Sequence, residues 1–433
     1  MANQRLQSLC EELHPPLTPH EAGVESDRCY FCFDAPCITA CPTGIDIPLF
    51  IRQIKADNPK GAATTIFNEN ILGGMCARVC PTETLCEEAC VRNTQEEKPV
   101  RIGELQRFAT DTMMATETQP YERAAETGKK VAVIGAGPAG LSCAHRLALL
   151  GHGVTILEAK PKPGGLNEYG IAAYKTIDNF AQREVDYILS VGGIDVEYNQ
   201  ALGTSLSLSD LKNRFDAVFL GMGLDDTNTL DLDNNDIDGI HDAVDFIAEL
   251  RQSEQADTLD VGNDVLVIGG GMTAIDAAVQ SRLLGAADVT VVYRRDQDSM
   301  NASDFEQQVA QTHGVLLKTN WQPVRIVADN GKLTGVEFEQ TESRNGVLQG
   351  TGDNRLFSCD RLLLAIGQQF GAADALDGIT LEHKRIAVDA DGRTSDAQVW
   401  AGGDCVASGD DLTVSAVQAG KLAAMSIHDA LSA

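Results

Sequence analysis

Over the first 122 residues the apolar positions show no strand-like alternation, and three stretches, residues 48–55, 62–68 and 102–114, predict helices. The polar segment 117–130 reads as a linker. Beyond it the pattern changes. Residues 131–134 and 265–268 are continuous apolar runs, the signature of strands buried on both faces, and each opens a strand–glycine turn–helix–strand unit. Between these units residues 221–264 are rich in Asp and Asn, with a helix predicted at 243–251. Toward the C-terminus a strand precedes residue 404, and residues 413–417 begin a helix. No short-period repeat is present, but the two units form a long-range duplication. The expected fold class is α/β: a helical domain over residues 1–122, a dinucleotide-binding domain over 123–227 and 369–433, and a second such domain over 228–368 that interrupts the first.

The length of 433 residues exceeds one ordinary core and agrees with about three domains. A formal net charge of −29 argues against nucleic acid and anionic membrane as partners, since both repel an acidic surface. No apolar run approaches the ~18 residues of a membrane span, and the first ten residues carry no secretory signal, so a cytoplasmic location is expected. Forty glycines and only 5% aromatics suit a protein whose backbone approaches phosphates closely.

Nine of the twelve cysteines lie in the helical part, eight of them in two runs. Cys29, Cys32, Cys37 and Cys41 read C-x2-C-x4-C-x3-C-P, and Cys76, Cys80, Cys86 and Cys90 read C-x3-C-P-x4-C-x3-C. Thiolates at these intervals are iron-sulfur ligands, and a cysteine before proline is held extended, which swings it away from its own run. A crossed pair of clusters follows. Structural zinc would need two matched C-x2-C knuckles, and only Cys29/Cys32 make one. Disulfides are disfavoured in a reducing cytosol. Cys143, Cys359 and Cys405 read as small buried hydrophobes, and Cys10 has no evident partner.

In the first dinucleotide unit Gly135 makes the tight turn, Gly137 admits a pyrophosphate and Gly140 lets helix and strand pack, while Glu158, ending the second strand, is placed to accept ribose hydroxyls. Gly164 and Gly165 add the second glycine pair that favours FAD over NAD here. Asp404, after a strand, suits a ribityl hydroxyl or a helix cap, and the helix start at Thr413 and Val414 can stabilise negative charge on reduced flavin. The second unit repeats the plan with Gly269, Gly271 and Ala274, but its second strand ends in Arg294 and Arg295 in place of an acid. A flavoprotein with a second dinucleotide fold needs a hydride donor, so this unit is expected to hold NAD(P)H. A vestigial fold without ligand is the alternative.

Taken together, CARVCPTETLCEEAC at 76–90, IGELQRF at 102–108, GAGPAGL, GGGMTAID and AGGD resemble the iron-sulfur flavoprotein small subunits of bacterial NAD-dependent dihydropyrimidine dehydrogenase, in the larger family that includes the glutamate synthase small subunit. The resemblance runs from Cys29 to Lys421. It implies one 4Fe-4S cluster on Cys29, Cys32, Cys37 and Cys90, and a second on Cys41, Cys80, Cys86 and the side chain of Gln106. Read on its own, Gln106 is a helix-surface residue. Glutamate synthase small subunits look to carry glutamate there, which tilts the choice toward pyrimidines. Cys76 is left over.

The resemblance further implies a hetero-oligomer whose FMN-containing partner, with ferredoxin-type clusters, reduces uracil or thymine, because this chain shows no such barrel. No C-x-x-C lies in the nicotinamide unit, so likeness to thioredoxin reductase stops at the fold. Clusters take one electron at a time, so FAD would split the hydride pair, and no catalytic side chain is required. The expected route is NAD(P)H, FAD, the Gln106 cluster, the all-cysteine cluster and then the partner, in either direction. Competing expectations are a glutamate-synthase-like or ferredoxin-reducing module, and a scaffold with inert clusters. For the nucleotide, Arg294 favours a 2′-phosphate, but a second arginine is replaced by Asn301, and Asp296 and Asp298 oppose it, which tilts the choice toward NADH with NADPH still open.

Overall fold

The computed structural model describes residues 11–230, 232, 237–253 and 258–432; Cys10 lies outside them. The chain forms two compact units. One consists chiefly of Thr227–Gln368 with Tyr169–Ile177, and the other of His14–Glu168, Asp178–Asp226 and Gln369–Ala433.

In the larger unit, helices Pro19–Asp27, Ile47–Lys55, Pro59–Glu69, Gly73–Val79 and Ile102–Met114 occupy the N-terminal part. Each of the first three begins with a side-chain cap, from Thr18, Asp46 and Asn58, followed by a proline in the first turn. Phe50, Ile51, Ile66, Phe67, Leu72 and Leu105 form their common core. Residues 117–129 carry no regular element, and a five-stranded parallel sheet follows. Its order is Val399–Ala401, Ala217–Leu220, Lys130–Ile134, Gly153–Glu158 and Ile194–Tyr198. Lys130–Ile134 lies where the strand order reverses, the place at which doubly wound sheets open a crevice at their carboxyl ends.

The helical and flavin-type parts pack as one unit through specific bonds. The Glu184 carboxylate, on helix Phe180–Leu189, accepts from Met75 N–H at 2.9 Å, and Lys421 Nζ meets Glu69 Oε2 at 2.7 Å. Arg146 donates to the Asn68 carbonyl at 2.6 Å. The Arg78 guanidinium lies 3.5 Å from the centroid of the Phe180 ring.

The smaller unit has its own five-stranded parallel sheet, in the order Ile240–Asp242, Arg361–Leu364, Asp264–Ile268, Asp288–Tyr293 and Leu316–Thr319. It also carries an antiparallel sheet of Trp321–Asp329, Lys332–Arg344 and Val347–Ser358, which the sequence pattern did not announce. The last of these strands is exposed along most of its length, so it lacks the buried alternation that would mark it. Helix Met272–Leu284 packs on the parallel sheet through Ala274, Ile275, Ala278 and Val279. Among the described residues no helix is long and apolar enough to cross a membrane.

Candidate functional site

The eight N-terminal cysteines are sorted into two pockets, and the sorting crosses their order in the chain. Cys29, Cys32 and Cys37 line the first together with Cys90 of the later run. Cys80 and Cys86 line the second together with Cys41 of the earlier run, and Cys76, Gln106 and Asn70 share its wall. Each pocket, mouth included, encloses about 380 Å³. The crossing has a local cause: Cys41 and Cys80 each end a short helix in extended geometry (ψ 119° and 135°), as a following proline requires. Phe31, between Cys29 and Cys32, takes a left-handed φ of 52°, which bends the chain back between two lining residues. Cys76 is buried on helix Gly73–Val79.

Four of these thiols, Cys29, Cys37, Cys80 and Cys86, are raised above the ordinary thiol value. Burial pushes Cys37 up to about 12, and the neighbouring sulfurs of Cys29 and Cys90 add to it. Cys80 is raised well above the ordinary thiol value, first by a hydrogen bond with Cys76 and then by burial, and Cys86 by burial and then by Glu87. Such a set suits a cationic metal centre that displaces the protons. The sulfurs ring each pocket rather than meeting at a point: among the described residues no three Cys, His, Asp or Glu are grouped to hold a single ion. An all-thiol pocket and a thiol–amide pocket fit iron-sulfur clusters by donor chemistry.

Gln106 departs from the surface position that its own sequence context suggests. Helix Ile102–Met114 turns it inward, 8% exposed, and its Nε2 donates to Gly73 O at 2.7 Å.

The first dinucleotide turn leaves Lys130–Ile134 at Gly135, whose φ is +95°. A Cβ on Gly140 would stand 2.0 Å from Gly135 O, whereas Gly137 has only Gly165 within 4 Å. Backbone thus crowds the third glycine and leaves the second open to a pyrophosphate. The Gly164–Gly165 turn is tied to this loop by Gly164 N–H donating to Ala136 O at 2.8 Å. Glu158 is buried at the strand end, accepting from Ala136 N–H at 2.7 Å and Lys160 N–H at 2.8 Å. Two donors fix its carboxylate at the turn, where ribose hydroxyls of a bound nucleotide would reach it.

Asp404 follows Val399–Ala401, and burial with the nearby Asp411 lifts its carboxyl to about 6 while Arg385 opposes. Thr413 Oγ1 donates to Asn167 Oδ1 at 3.0 Å at the start of helix Thr413–Ser432. Val414, the next residue, lines the second cysteine pocket. Nothing in the sequence signalled that the helix start expected beside a flavin would also wall a cluster pocket, because residues 414 and 41–106 meet only in the fold.

In the smaller unit Gly269 and Gly271 lead from Asp264–Ile268 into helix Met272–Leu284, with Ala274 buried at 1% exposure. A Cβ on Gly270 would stand 2.5 Å from the Tyr293 ring. Arg294 and Arg295 are exposed just past Asp288–Tyr293. Asp296 is engaged in capping the turn Gln297–Ser299, accepting from Ser299 N–H at 2.9 Å. Sequence reading missed a buried cluster behind this helix: Lys175 Nζ lies 2.8 Å from Asp276 Oδ1 and 2.7 Å from Glu306 Oε1, and Tyr174 donates to Asp276 at 2.9 Å.

Two doubly wound sheets with glycine turns at their switch points, and two thiol-lined pockets beside the first, define an iron-sulfur flavin oxidoreductase of the pyridine-nucleotide class. Family models agree: residues 5–118 match dihydropyrimidine dehydrogenase domain II, 4Fe-4S cluster, and residues 129–420 match pyridine nucleotide-disulphide oxidoreductase. The chain is 37% identical over 422 residues to the NAD-dependent dihydropyrimidine dehydrogenase subunit PreT of Salmonella typhimurium, covering 98% of this chain and 97% of that one. It is 34% identical to the glutamate synthase [NADPH] small chain of Escherichia coli K12, over 95% of this chain and 92% of that one. Mycobacterium tuberculosis FprA in complex with NADPH shares the fold at TM-score 0.59 and 16% identity, covering 70% of this chain and 85% of that one. The chain therefore belongs to the iron-sulfur flavoprotein family that contains the small subunits of NAD-dependent dihydropyrimidine dehydrogenase and of glutamate synthase, and its role is electron transfer.

Proposed function

We propose that this chain is the electron-transfer subunit of an NAD-dependent dihydropyrimidine dehydrogenase and passes electrons between NAD(H) and a partner FMN subunit that interconverts uracil or thymine with the 5,6-dihydropyrimidine. Cys29, Cys32, Cys37 and Cys90 would hold one 4Fe-4S cluster. Cys41, Cys80, Cys86 and Gln106 would hold the other. With Nε2 of Gln106 committed to Gly73 O, its Oε1 remains as the lone-pair donor toward iron. FAD would lie over Gly135, Gly137 and Gly140 with Glu158, Gly164, Gly165, Asp404, Thr413 and Val414, and NAD(H) over Gly269, Gly271 and Ala274 beside Arg294 and Arg295. When bound, the flavin supplies the conversion between hydride and single electrons that clusters require. The protein's own part is to fix these groups and keep water from them.

One observation carries the reading: Val414, at the start of the helix assigned to the flavin, shares a pocket wall with Cys41, Cys80, Cys86 and Gln106. A short path from flavin to cluster is what an electron-transfer subunit needs. The PreT names of the relatives support pyrimidine as the partner's substrate and a hetero-oligomer as the assembly. The glutamate synthase small chain, at 34% identity, supports a second reading in which this chain is a glutamate-synthase-like small subunit.

Anaerobically purified protein should hold about eight irons and one FAD, and should reduce artificial dyes with NADH but not reduce uracil by itself. Uracil reduction should appear when the FMN partner is added. Chelatable zinc without acid-labile sulfide, or uracil turnover by the isolated chain, would refute the proposal. Electron delivery to a glutamate synthase large chain but not to the pyrimidine partner would establish the second reading instead.

A further inference from the structure

Asn70 lies in the wall of the pocket that gathers Cys41, Cys80, Cys86 and Gln106. Its exposure is 0%, and neither Oδ1 nor Nδ2 of its carboxamide meets a partner among the described residues. Leaving both ends of a buried amide unpaired is costly, and native interiors pair nearly all such groups. A leucine of the same shape would carry no such penalty, so packing alone does not call for an amide here.

The backbone of Asn70, by contrast, is fully engaged. Its N–H donates to Ile66 O at 2.8 Å, closing helix Pro59–Glu69, and its carbonyl accepts from Gly73 N–H at 3.0 Å. The Gly73 carbonyl in turn accepts from Gln106 Nε2. Asn70 and Gln106 are thus fixed to the same turn, one by its main chain and one by its side chain. The side-chain amide of Asn70 is held in the pocket wall with both N–H groups uncommitted.

We propose that the Asn70 carboxamide donates an N–H hydrogen bond to a sulfur of the cluster held at this pocket, and so sets that cluster's reduction potential. The inference rests on the reading of the pocket as a cluster site. Sulfide and thiolate sulfurs are electron-rich acceptors with no proton to give, and Gln106 has one of its two N–H groups committed to Gly73, whereas both N–H groups of Asn70 are uncommitted, so Asn70 supplies a donor to the sulfurs. An added electron increases negative charge on the sulfurs. A fixed N–H therefore stabilises the reduced cluster more than the oxidised one and raises the potential, while the amide itself stays neutral. Because Val414 shares the wall, the tuned centre is the one next to the helix assigned to the flavin.

The test compares the full chain, purified anaerobically, with Asn70→Leu and Asn70→Asp. Iron, sulfide and FAD are quantified, and each centre is titrated by electron paramagnetic resonance and flavin absorbance. Asn70→Leu should keep its iron and FAD yet lower the potential of one cluster, cutting its reduced-to-oxidised ratio at the wild-type midpoint about tenfold, or about 59 mV for one electron. Asn70→Asp, where it retains iron, should fall further. An unchanged cluster potential in Asn70→Leu with iron intact would overturn the inference and leave the cluster reading standing. So would a shift confined to the flavin, or loss of iron in both variants. Wild-type protein that takes up no iron would overturn the cluster reading and the inference together.

Discussion

Replacing Lys175 by methionine should destabilise the smaller unit without touching flavin or iron. The Lys175 ammonium is buried and within 2.8 Å of two carboxylates, on Asp276 and Glu306, and their charges hold its pKa above the ordinary lysine value despite burial. Methionine matches the stem but leaves two carboxylates facing each other in a site that excludes water. Breaking a buried ion pair on one side costs about 3–5 kcal/mol. For a unit of about this size, at roughly 2–4 °C per kcal/mol, the unit should melt some 6–20 °C lower. The chain has two tryptophans, Trp321 in the smaller unit and Trp400 in the larger. In a Trp400→Phe background, Trp321 fluorescence during a urea titration therefore reports the unit that carries the lysine. At an m-value of about 2 kcal/mol/M the midpoint should fall by about 2 M. Adding Asp276→Asn and Glu306→Gln should recover most of the loss, because the orphaned charges are then removed. Asp276 sits on helix Met272–Leu284, within two turns of its N-cap Gly271, so KM for NADH should rise while FAD and iron contents hold. A Lys175→Met midpoint equal to wild type, or a triple variant no better than the single one, would refute the buried-charge argument.

Cys80→Ala should lose one cluster while Cys76→Ala keeps both, read as iron per chain; equal loss in the two would overturn the crossed ligand sets. Asp404 holds its proton up to about pH 6 against an ordinary 3.8, so in flavin-free protein its contribution to stability is complete below about pH 4 and is lost as pH rises through 6. Asp404→Asn should abolish that slope, making flavin-free protein more stable than wild type at pH 7 by roughly 3 kcal/mol at 1.36 per pH unit, and should weaken FAD binding. Thermal melts at pH 4, 5, 6 and 7 decide it, and parallel curves for the two proteins would refute it. In dye reduction the protein should prefer NADH; a tenfold or greater kcat/KM preference for NADPH that Arg294→Ala removes would show that one arginine outweighs Asp296 and Asp298.

The sequence by itself determined the elements whose signals are local. The glycine turns at 135–140 and 269–274, the strands that feed them, the helices predicted at 48–55, 62–68 and 102–114, and the prolines that hold Cys41 and Cys80 extended all follow from backbone sterics and burial periodicity within a few residues. Resemblance placed Gln106 at a cluster, where its own context suggested a helix surface; only the packing of Ile102–Met114 against Gly73–Val79 made it a buried residue. The remaining features depend on contacts between residues far apart in the chain, for which no local pattern exists. Glu184 reaches Met75 across 109 positions and binds the flavin-type part to the helical part. Lys175 meets Glu306 across 131 positions, and the nine residues Tyr169–Ile177 join the smaller unit although their neighbours belong to the larger. Asn70 lies beyond the helix predicted at 62–68 and was not singled out by the sequence pattern. Its unpaired amide acquires meaning only when tertiary structure closes a pocket around it, because a polar side chain has no cost to explain until water is taken away.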